Sequence, residues 1–79
     1  MNEIWYKGYK IMPAPLQLRE SGEWTLALYI GINKGNKWVE RPYRAANTFK
    51  TKEEAISHCI NFGKKIIDGK SKNCSVPDQ

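Results

Sequence analysis

The segment Phe49-Lys50-Thr51-Lys52-Glu53-Glu54-Ala55 constrains this chain more than any other, because a strand-like pattern stops there and a capped amphipathic helix begins. Thr51 followed three positions later by Glu54 is the capping-box pattern, in which each side chain satisfies a backbone N–H that the first helical turn leaves without a partner. At about 100° per residue, Ala55, Ile56, Cys59, Ile60, Phe62, Gly63, Ile66 and Ile67 then gather into one stripe, opposite Ser57, His58, Asn61, Lys64, Lys65 and Asp68. Such a stripe needs a sheet to cover. Lys64 and Lys65 complement the helix dipole in the last turns, and Gly69 suits the C-terminal cap.

Upstream, Trp24 to Ile32 alternates with period two, placing Trp24, Leu26, Leu28, Ile30 and Ile32 on one face and Thr25, Ala27, Tyr29 and Gly31 on the other. Before it, Tyr6 to Met12 reads as a first strand, with Gly8 as a bulge and Pro13-Ala14-Pro15 ending its pairing. Leu16 to Gly22 reads as a connection closed by the turn-forming Ser21-Gly22. Asn33-Lys34-Gly35-Asn36-Lys37 has the composition of a tight hairpin tip and leads into a third strand over Trp38 to Tyr43. Pro42 cannot donate to a ladder, which places that strand at an edge or gives it a bulge. Trp38 and Val39 have opposite parity, so the inward face of this strand is open at the level of sequence. The expected fold is α+β: a three-stranded antiparallel meander with its second strand central and one C-terminal helix packed on one face. Residues 1–69 form the single domain, and the polar stretch from 70 to 79 is expected to be a disordered tail.

A chain of 79 residues allows one small core. Its formal charge of +5 is concentrated in the strand half, where residues 1 to 50 carry eight Lys or Arg against four acidic residues. Such a balance favours acidic partners, nucleic acid among them. Cys59 on the helix stripe and Cys74 in the tail make neither a disulfide framework nor a metal-ligand spacing, and no apolar run approaches the ~20 residues of a membrane span. These features, with an N-terminus unlike a secretory signal, point to a cytoplasmic protein without metal or cofactor.

No constellation for catalysis stands out. His58 lies on the polar side of the helix, one turn after Glu54 and within i,i+4 reach of it, but the sequence offers no sign of the pocket or the substrate position that a general base also needs. Cys59 occupies a core position, where a thiol is structural. Glu53 and Glu54 belong to the first helical turn, where acids complement the dipole. The glycines form no phosphate loop. Two surfaces remain. Lys34, Lys37, Arg41, Arg44 and Lys50, interleaved with Trp38 and Tyr43, combine phosphate-binding charge with rings on which bases stack; edge strands also carry such charges simply to discourage aggregation. Trp5, Tyr6 and Tyr29 are candidates for a protein interface if they lie on the sheet face that one helix leaves uncovered.

The motifs Tyr6-Lys7-Gly8-Tyr9, Gly22-Glu23-Trp24, Phe49-x-Thr51-x-x-Glu54-Ala55 and Gly63-Lys64-Lys65-Ile66-Ile67-Asp68 resemble small bacterial domains of strand-strand-strand-helix order and no assigned activity. Tyr6-Lys7-Gly8 and Thr48-Phe49-Lys50-Thr51-Lys52-Glu53-Glu54-Ala55 also resemble the three-stranded DNA-binding domains of the AP2 and integrase arm-binding types, a likeness that implies a sheet able to lie in the major groove. Those domains read bases with strand arginines, whereas the outward positions here are Thr25, Ala27, Tyr29 and Gly31. The sequence therefore favours a non-enzymatic interaction module, binding protein or itself through the open sheet face or an edge strand. The alternative is a nucleic-acid-binding module using the basic hairpin and third strand.

Overall fold

The computed structural model describes residues 3–69, so the expectation for the tail lies outside the described residues. The sheet has four antiparallel strands rather than three: β1 (Ile4–Tyr6), β2 (Tyr9–Pro13), β3 (Trp24–Lys34) and β4 (Lys37–Phe49), in the order β1-β2-β3-β4, followed by α1 (Lys52–Ile67). The additional strand comes from Gly8. It is no bulge: Tyr6 pairs with Tyr9, and Lys7 (φ 51°) and Gly8 (φ 86°) make a two-residue turn with positive φ at both positions, the I′ geometry that matches strand twist.

The prolines of the next segment do not end pairing either. Pro13 still faces Leu28, the Ala14 N–H donates to the Ala27 carbonyl at 2.9 Å, and a bridge joins Gln17 to Trp24, all in one register. Ala14 and Leu16 point their N–H groups at β3, the Leu16 N–H reaching the Thr25 hydroxyl at 3.0 Å. Pro13 and Pro15 occupy the alternate positions, where an N–H would point away from β3, past Ile4–Ile11, the last β1–β2 pair among the described residues.

The β3–β4 hairpin is long and tight. Lys34 pairs with Lys37 around Gly35-Asn36, with positive φ at Gly35 (65°). β4 runs to Phe49, beyond the expected Tyr43, accommodating two extra residues opposite the Thr25/Leu26 step. It is an edge strand, and Pro42 pairs with Tyr29 at a position whose N–H would face solvent.

The helix lies across β2, β3 and β4. Ala55, Cys59, Gly63 and Ile66 from its stripe are buried against Ile11, Leu26, Leu28 and Ile30, with Tyr9 and Tyr43 completing the core. Gly63 permits the approach: a Cβ there would stand 2.9 Å from Ile11 Cγ2 and 3.1 Å from Leu28 Cδ1. At the N-terminus Thr51 Oγ1 accepts from the Glu54 N–H at 3.1 Å, whereas the Glu54 carboxylate accepts from the Lys50 N–H, one residue earlier than the reciprocal capping box requires. At the other end Gly69 (φ 75°) turns the chain and donates to the Ile66 carbonyl. Asp68 ties the helix to the first hairpin, accepting from the Tyr6 hydroxyl at 2.8 Å and from the Lys7 ammonium at 2.6 Å.

Candidate interaction surface

Register and alternation sort every strand residue onto one of two faces. The helix side takes Ile4, Tyr6, Ile11, Leu26, Leu28, Ile30, Ile32, Val39 and Tyr43, which settles the parity of the last strand in favour of Val39 inward. The opposite face takes Trp5, Lys10, Met12, Tyr29, Gly31, Trp38, Glu40, Pro42 and Arg44, with Ala14 and Leu16 continuing it along the extension of β2. No element covers this second face among the described residues.

This face gathers most of the large exposed apolar side chains among the described residues. Trp5 (63% exposed), Leu16 (66%), Tyr29 (40%) and Trp38 (44%) all lie on it, and Leu18 stands at its end. The rings are organised. Trp38 folds back over Gly31, where a Cβ would fall 2.7 Å from Cε2 and 2.8 Å from Cη2 of the indole, so only glycine admits the ring. Trp5 meets Trp38 edge to face at 6.2 Å, the Trp38 indole N–H donates to Glu40 Oε1 at 2.7 Å, and the Lys10 ammonium sits 5.8 Å above Trp5 while bonding Glu3 at 3.0 Å. On the other side of Tyr29 the surface dips into an open hollow of about 470 Å³, floored by Ala27 and rimmed by Leu16, Tyr29, Pro42 and Arg44.

Of the three residues expected at an interface, Trp5 and Tyr29 share the open face. Tyr6 does not join them: it packs on the core side with its hydroxyl on Asp68, which raises its pKa above the usual phenol value, and the same carboxylate raises that of Lys7. The five basic candidates divide as well. Lys34, Lys37 and Arg41 lie on the helix side of the protruding β3–β4 ribbon, Arg44 on the open face, and Lys50 at the approach to the helix. Tyr43 is buried, and Trp38 faces away from the three cations nearest to it in sequence, so rings and charges do not form one groove.

His58 stacks on Phe49 at 4.4 Å beside a cleft of about 200 Å³ between β4 and the helix, and the Glu54 carboxylate is engaged at Lys50 instead of turning to the imidazole. Cys59 is fully buried, its thiol donating to the Ala27 carbonyl at 3.1 Å, and burial pushes its pKa up. Among the described residues no three of His, Cys, Asp or Glu gather as metal ligands, and no helix is long and apolar enough to cross a membrane. The seating of Trp38 on Gly31 and the hollow over Ala27 were not legible in sequence, where Trp38 stood only as a ring among the basic candidates; the alternation of large and small residues on the outward parity of β3 was the available signal. No protein-family model matches the chain, and neither curated proteins nor solved structures return a match.

Proposed function

We propose that this domain is a non-enzymatic interaction module that docks a protein through its uncovered sheet face. The observation that carries the reading is the placement of Trp5, Leu16, Tyr29 and Trp38, four of the five large apolar side chains that are exposed among the described residues, on that one face. Contiguous apolar surface of this kind marks interaction sites. The edges are poor alternatives, because Pro13, Pro15 and Pro42 remove outward N–H groups that a docking strand would need. A cytoplasmic setting suits a free thiol at Cys59.

A second reading rests on the hairpin tip. Lys34 and Lys37 face each other across Gly35-Asn36, a like-charge pairing that costs stability and that a bound phosphate would relieve. Nucleic acid would then contact Lys34, Lys37 and Arg41 through its backbone, without the ring stacking that a single-strand platform uses.

Site-specific photocross-linking in producing cells separates these readings. A benzophenone side chain at position 29 is expected to capture protein, whereas one at Ser57 on the exposed helix face captures none. Equal capture from both positions, or none from position 29, overturns the proposal. Nuclease-sensitive adducts from position 36 alone would establish the second reading in its place.

A further inference from the structure

The open face is complementary to itself about one line, and we infer that its occupant is a second copy of this chain. Met12, Tyr29 and Pro42 form a row across three strands, each facing the next in the register. Two residues from that row in one direction stand Gly31, capped by the Trp38 indole, and Glu40; two residues in the other stand Ala27, the floor of the hollow, and Arg44. A two-fold axis lying along the row, between two sheets packed face to face, brings each residue opposite the one equally far beyond the row in the other copy. Glu40 of each copy then meets Arg44 of the other, and the Trp38 ring on Gly31 enters the hollow over Ala27. Tyr29 meets Tyr29 on the axis.

Charge and relief both fit this pairing. The cation and the carboxylate stand on the same strand at equal distances from Pro42, so one operation satisfies both ion pairs of an isologous contact. The raised ring and the hollow likewise flank Tyr29 on either side. Four strands at ~4.8 Å spacing and the length of β3 at ~3.3 Å per residue give a face of at most ~700 Å² per copy. That falls just below the ~800 Å² of a standard interface. An interface of that size lies at the modest end of the standard range, and its fit, more than its area, sets the concentration at which it forms.

This inference rests on the open-face reading but fails separately from it. Sedimentation equilibrium from about 10 µM to about 1 mM is expected to show wild type passing from monomer to dimer. Glu40→Arg and Arg44→Glu, each at an exposed strand position and each checked for folding by circular dichroism, weaken association about tenfold, since the symmetric contact counts every reversal twice. Mixed one to one, the two variants restore a dimer, because arginine at position 40 then faces glutamate at position 44. Wild type that stays monomeric throughout overturns the self-pairing, while protein capture from position 29 would keep the open-face reading. A wild-type dimer indifferent to both variants and to Tyr29→Lys uses another surface and likewise overturns the self-pairing.

Discussion

Replacing Gly31 by alanine puts the organisation of the open face to a quantitative test. The new methyl group would lie under 3 Å from three atoms of the Trp38 indole, so the ring must leave its seat. Its departure forfeits the edge-to-face contact with Trp5, about 0.5–1.5 kcal/mol, and the 2.7 Å hydrogen bond to Glu40, about 0.5–1.5 kcal/mol. Alanine returns about 0.5–1 kcal/mol, because glycine is the more costly residue to order within a strand. The net loss is about 1 kcal/mol, or ~4–8 °C in Tm for a domain of this size. In a Trp38→Ala background nothing is displaced, and the same substitution should stabilise by about 0.5–1 kcal/mol. Thermal melts followed by far-ultraviolet circular dichroism give all four corners of this double-mutant cycle, and tryptophan emission reports the ring's release. A substitution with the same sign and size in both backgrounds would refute the seating of Trp38 on Gly31, and with it the raised feature on which the pairing of two copies depends.

The remaining predictions concern the helix and its anchor. Thr51→Ala removes the side-chain acceptor for the Glu54 N–H and should cost ~1 kcal/mol in chemical denaturation, whereas Thr51→Ser should be close to neutral. Tyr6 and Lys7 both have pKa values raised by their hydrogen bonds to Asp68. A raised folded pKa gives a contribution present in full below the unfolded value and lost as pH climbs through the folded one. Stability should therefore hold to about pH 9 and fall above about pH 10, with Tyr6→Phe less stable at neutral pH yet losing less across the alkaline range; an unchanged alkaline slope in that variant would count against the Tyr6–Asp68 bond.

How far the sequence reached can be traced residue by residue. The helix was legible because its signals agree: Thr51 before it, the 3.6-residue stripe through it and Gly69 after it all match the observed ends and buried face. The inward face of β3 was legible for the same reason, its alternation being long enough to fix parity. The first hairpin was not, because lysine is an unusual residue at positive φ and β1 offers only three residues of pattern. Pro13 and Pro15 misled in a different way. A proline ends a strand when its N–H is needed, but here both point away from β3 and the register continues past them to Gln17. The three residues expected at an interface followed the same divide. Trp5 and Tyr29 were visible as aromatic residues with no place in the core pattern, whereas Tyr6 was misplaced by the missing turn, whose position decides which face it takes. The hollow over Ala27 depends on how three strands bring small side chains side by side, and neighbours across strands are not written in any single stretch of sequence.

The claim that the uncovered sheet face works as an interface is tested most directly by hydroxyl-radical footprinting carried out inside producing cells and again on dilute purified protein. The account predicts that Trp5, Met12, Tyr29 and Trp38 are oxidised in dilute solution and protected in the cell, while the exposed His58 on the helix side reacts alike in both settings. Equal oxidation of the four open-face side chains in both settings would contradict it.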